Sequence, residues 1–88
     1  MKVQNMKNAN GNKVANQFEI TNDSFIEFQS YTSSIARKYH TGQVELDSKY
    51  WDYSKTTGRY RNQFLGETKA ETQKKIDAGI YILTDLNR

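Results

Sequence analysis

The chain has no cysteine, no proline and a single histidine, His40. Without cysteine there is no disulfide, no thiolate nucleophile and no thiolate metal site, a composition that suits a reducing cytosol. Without proline there is no polyproline docking segment. His40 falls in the turn-like run His40-Thr41-Gly42-Gln43 and reads as an exposed turn residue rather than a catalytic base. No group of His, Asp and Glu has metal-ligand spacing; Glu45 and Asp47 share one side of a short strand and read as a solvated face. The run TTGRYRNQFLG lacks both the glycine spacing and the lysine of a phosphate-binding loop. Long apolar runs are missing too. Ile80–Leu83 is the longest at four residues, where a membrane span needs about 20, and the polar first residues show no secretory signal. These absences point to a protein that is not an enzyme, with no metal, no cofactor and no membrane association.

At 88 residues the chain has room for one domain, burying roughly 60% of its unfolded surface. Its net charge of +3 is localised. Lys2, Lys7 and Lys13 lie in the acid-free stretch 1–16, and the rest of the chain is neutral. That stretch is rich in Asn and poor in large apolar side chains, so it is expected to be a disordered basic arm. It reads as a frayed terminus, with nucleic-acid contact as the second reading. The alternative to disorder is an extra strand through Val3 and Met6.

Residues 17–88 are expected to form a single α+β domain. Phe18 and Ile20 alternate with Glu19 and Thr21, the period of a half-buried strand, and Asn22-Asp23 follows as a turn. In Ser24–Tyr31, Ile26, Phe28 and Ser30 share one side, and Phe25, Glu27, Gln29 and Tyr31 the other. Such a two-sided strand is either central or carries a binding face. Thr32–Tyr39 follows, with Ile35, Arg37 and Tyr39 on one side; Val44 and Leu46 mark a short fourth strand. From Ser54 the period becomes helical. Tyr60 and Phe64 are four apart, Ser54 or Thr57 suits an N-cap, and Gly66 suits a stop. Thr68-Lys69-Ala70-Glu71 is a capping box that opens a second helix, and Ile80, Ile82 and Leu83 suggest a closing strand. The expected fold is an antiparallel sheet of three to five strands with two short helices on one face.

Lys49–Gly66 is the richest segment. It holds Tyr50, Trp51, Tyr53, Tyr60 and Phe64, with Lys49, Lys55, Arg59 and Arg61 set against a lone acid, Asp52. Rings interleaved with cations make either a core edge or a binding surface. Asp52 suits a pair with Arg59 or Arg61 that fixes the strand-to-helix junction. Trp51 reads as half-core or as a binding hot spot. The helical pair is also compatible with a helix-turn-helix, although Glu67, Glu71 and Asp77 deny the second helix a basic face.

SYTSSIA (30–36), VELD (44–47), YWDYSKTTGRYRNQFLGET (50–68) and AGIYILTDLN (78–87) resemble a family of small uncharacterised proteins carried by phages and plasmids, chiefly of Gram-positive bacteria. The resemblance spans residues 25–87 and leaves out the basic arm. It implies a mobile-element setting and the cytoplasm of a bacterial host, and it names no functional residue.

Two functions are therefore expected of the segment. The first is non-catalytic nucleic-acid binding as an accessory protein, with Trp51 and Tyr53 stacking and Lys49, Lys55, Arg59 and Arg61 neutralising phosphates. The second is a protein partner, with the same residues inhibiting or modulating a host enzyme or defence system.

Overall fold

Short turns fold the first half of the chain back on itself four times. In a computed structural model, which describes residues 1–87, five strands follow in chain order: β1 (Lys2–Lys7), β2 (Lys13–Thr21), β3 (Phe25–Ser30), β4 (Ser33–Tyr39) and β5 (Val44–Asp47). Each is antiparallel to the one before. Two helices follow, α1 (Lys55–Leu65) and α2 (Lys69–Asp77), and then β6 (Tyr81–Thr84), which returns parallel to β5. The result is α+β with a six-stranded mixed sheet, its strands ordered as in the chain. The sheet is larger than the three to five strands expected, and it is not wholly antiparallel. A parallel return needs a long crossover, and the helical pair supplies it.

The added strand is β1. Residues 1–16 were expected to be a disordered arm, yet they hold β1 and the start of β2, joined by a turn in which the Asn8 side chain accepts the amides of Asn10 and Asn12. Two things offset the missing apolar mass. The backbone pairs with β2 from Lys2↔Thr21 to Lys7↔Lys13, and Met6 enters the core with 4% of its surface exposed. The Gln63 side chain of α1 also donates to the Lys7 carbonyl at 2.9 Å.

The helices cover one face of the sheet, as their contacts and the register show. Phe28 of β3 meets Phe64 of α1 with ring centroids 5.8 Å apart. Ala36, Leu46 and Tyr81 continue that face, and Met6, Ile35 and Tyr60 complete the buried core. In β2 the expected facing is reversed. Gln17 and Glu19 pair with Ser30 and Phe28 and so point toward the helices, while Phe18 and Ile20 lie on the open face. Ile35 also differs from expectation. A bulge between Ala36 and Ser34 turns it to the helix side, away from Arg37 and Tyr39. The open face carries Phe25, packed edge-on to Tyr39 and beneath Arg37, whose Nε donates to Glu27 at 2.7 Å.

Local rules place the helices. The Ser54 hydroxyl accepts the Thr57 amide, so Ser54 and not Thr57 caps α1, and Gly58 lies inside the helix. Gly66 ends α1 at φ 70°, the left-handed position where glycine is favoured, and its amide returns to the Asn62 carbonyl. Thr68 and Glu71 form the reciprocal capping box of α2.

Candidate functional site

The segment from Ser48 to Ser54 links β5 to α1, and one buried carboxylate shapes it. Asp47, 1% exposed, accepts the amides of Lys49 and Tyr50 at 3.1 and 2.8 Å through Oδ2, and the amide of Leu86 at 2.8 Å through Oδ1. It is thus no part of a solvated face, contrary to expectation. Burial pushes its carboxyl up, but the Leu86 and Tyr50 amides outweigh burial and hold it below the ordinary range. Bonded to three amides, the turn is anchored where the sheet meets α1.

The six residues singled out from sequence separate into two groups. Arg61 and Trp51 face inward. Arg61 is 1% exposed; its Nη1 donates to the Trp51 carbonyl at 2.8 Å and to Asp52 at 3.1 Å, and its Nη2 to the Asn62 side chain at 2.9 Å. The guanidinium also lies 5.1 Å from the centre of the Trp51 ring, which is half-buried against the core. Arg61 therefore braces the junction and does not face a phosphate, which corrects its expected role. Asp52 has its pair, and Lys69 of α2 joins it as a second cation. Burial raises the Asp52 carboxyl, yet Lys69 and Arg61 together bring it below its usual value.

Lys49, Tyr53, Lys55 and Arg59 face outward. Tyr53 is 70% exposed, with its ring edge-on to Tyr50 at 5.4 Å. The Lys49 ammonium stands 5.4 Å from the Tyr50 ring centre. Lys55 and Arg59, one turn apart on α1, line an open cleft together with Gly58, Arg61 and the Lys69–Asp52 ion pair. Among the described residues, Lys49, Lys55 and Arg59 have no ion-pair partner.

On the other side of Ser54 lies a cavity of about 310 Å³. Its wall is hydroxyl-rich. Ser30 Oγ is 3.1 Å from Thr57 Oγ1, and the Ser54 hydroxyl donates to Thr57 Oγ1 at 3.2 Å. Tyr31, Tyr50 and Tyr53 provide the rings around it.

Sequence reasoning missed two members of this surface. Tyr31 was placed at the end of a strand, but it occupies the turn between the paired residues Ser30 and Ser33, at φ 56° and 58% exposed. SYTSS has no glycine to mark that turn. Lys69 was read as part of the α2 cap region, and only the tertiary fold brings it to Asp52. His40 lies exposed in its turn, with Nε2 3.1 Å from the Asn22 carbonyl. Among the described residues, no three His, Cys, Asp or Glu side chains come together as a metal-binding group, and no helix is long and apolar enough to cross a membrane.

Comparison with the curated proteins and with the solved structures gave no match. Residues 1–79 match a family model, a span that takes in the β1–β2 hairpin and ends before β6. The chain belongs to that family, described as a family of unknown function, DUF8033.

Proposed function

We propose that the protein binds nucleic acid without catalysis, through the surface formed by Lys49, Tyr53, Lys55, Arg59 and Lys69. The observation that carries this reading is the pairing of Lys55 with Arg59. They lie one turn apart on α1, with no acidic partner among the described residues, beside the 70%-exposed ring of Tyr53. Unpaired cations along a cleft suit a phosphate backbone, and a neighbouring exposed ring suits a base. The phage and plasmid setting implied by the sequence resemblance supports a small accessory role in a bacterial cytoplasm.

The test is fluorescence anisotropy with labelled oligonucleotides over a range of salt concentrations. Affinity should fall steeply with salt, and Lys55→Gln with Arg59→Gln should flatten the logarithmic slope by about two units. No binding at low salt, or an unchanged slope in the double variant, would overturn the reading. A natural complex that survives nuclease and moderate salt would point to a protein partner instead.

A further inference from the structure

Tyr31 is a bulky residue in a position that favours glycine. A two-residue turn joins β3 to β4, and its first residue has φ 56°. Glycine adopts that conformation without steric cost, whereas a residue with a Cβ is strained in it. Burial does not compensate, because the residue is 58% exposed. The Tyr31 amide is held by the Asn16 carbonyl at 2.7 Å, so the strained turn is fixed in place. Strain of this kind clusters at functional sites, and here it holds an exposed residue at the mouth of a cavity.

The cavity has a definite chemistry. Among the described residues, no acidic or basic side chain lines it. The hydroxyls of Ser30, Thr57 and Ser54 bond one another in its wall, and those of Thr32 and Ser33, in and beside the Tyr31 turn, also line it and can donate or accept. Its aromatic rim includes Tyr53, with Tyr50 edge-on beside it at 69° between planes. An anion inside would find no cation, and a metal ion would find no carboxylate. A neutral, flat group with both donors and acceptors fits. At about 310 Å³ the cavity is at the small end for ligand sites. Ser54 lines both this cavity and the cleft of Lys55, Arg59 and Lys69. A strand with its phosphates along that cleft can therefore turn one base over Ser54 and into the hydroxyl pocket.

We infer that this cavity holds one unpaired nucleobase against Tyr31 and Tyr53, which makes the protein selective for single-stranded over duplex nucleic acid. The inference rests on the nucleic-acid reading above. A hydroxyl can donate or accept, so the lining suits more than one base edge, and the pocket is tolerant of sequence. A paired base reaches it only by leaving its stack, at an energetic cost that a single strand largely avoids.

The experiment compares a short fluorescein-labelled oligothymidylate with a labelled duplex of the same length, by anisotropy, on the whole chain. The single strand should bind about tenfold tighter or more. Tyr31→Gly should keep the fold, by circular dichroism and thermal midpoint, and lose about tenfold or more in single-strand affinity. Tyr53→Ala is the second variant, with the same loss expected from an exposed ring. Equal affinity for the two forms, or unchanged single-strand affinity in both folded variants, overturns the pocket and leaves the cationic cleft standing. Binding to neither form overturns the nucleic-acid reading together with the pocket.

Discussion

Arg61 holds Asp52 from inside the fold, 3.1 Å from guanidinium to carboxylate, while Arg59, two residues earlier, has no partner among the described residues. Two arginines of one helix thus do different work. Arg61→Ala should cost about 2–4 kcal/mol of stability, because it opens a void beneath Trp51 and leaves the Trp51 carbonyl without its donor. Arg59→Ala should stay within about 0.5 kcal/mol, as surface changes do. Urea unfolding of the two variants checks this; equal costs would remove the assignment of Arg61 to the interior.

Asp47 and Glu67 should make the fold sensitive to acid. Burial raises the Glu67 carboxyl, but Thr72, Tyr81 and Lys75 donate to it and bring it below its ordinary value. Asp47 is depressed through its backbone amides. A carboxyl depressed by folding stabilises the native state above its unfolded pKa, and that contribution is lost as pH falls through the folded pKa. Stability should thus hold from neutral pH to about 5 and fall progressively below it. Asp47→Asn should be less stable at neutral pH and show a shallower acid slope. An unchanged slope would mean that the three amides do not favour the charged form.

Met6 tests the N-terminal hairpin. Met6→Ala removes a side chain from the core, and about 2–4 kcal/mol should be lost. Deleting residues 1–12 should lower the thermal midpoint by several degrees, since it strips β1 from β2 and uncovers Met6's site. A midpoint that stays put would return these residues to the status of a loose arm.

Much of the fold can be read directly in the sequence. The Thr68–Glu71 capping box, the Gly66 stop and the alternation in Phe25–Ser30 each follow a local rule that the tertiary structure leaves intact. The misreadings have tertiary causes. Composition made residues 1–16 look unable to order, but a strand beside β2 gains its hydrogen bonds from a neighbour that composition does not reveal. The facing of β2 was reversed because Gln17, a polar residue, is fully buried beside Ser30. At the candidate site, sequence singled out the ring-and-cation segment, which the fold places at the junction of β5 and α1. It could not distinguish Arg59 from Arg61, because the helix phase that buries one and exposes the other depends on where α1 begins.

Asn87 should matter more than its place beyond β6 suggests. Its side chain bonds the Ser34 amide and carbonyl at 2.6 and 2.8 Å, as a neighbouring strand would. Asn87→Ala should cost about 1–3 kcal/mol by leaving both backbone groups unmatched. Hydrogen exchange at the Ser34 amide should speed up accordingly; an unchanged rate would show that water replaces the bond without loss.

The sequential strand order has a kinetic consequence. From β1 to β5, each pairing closes only a short turn, whereas β6 meets β5 only once residues 48–80 have been brought around. Closing a longer loop costs more chain entropy, so the meander is expected to nucleate folding and the parallel edge to join after the main barrier. Tyr81→Phe, which removes the hydroxyl bond to Glu67, should accordingly speed unfolding and leave the folding rate nearly unchanged in stopped-flow experiments. A slowed folding limb would place the β5–β6 pairing inside the nucleus. On the expected order, the carboxyl edge can open and reclose while the first five strands stay paired.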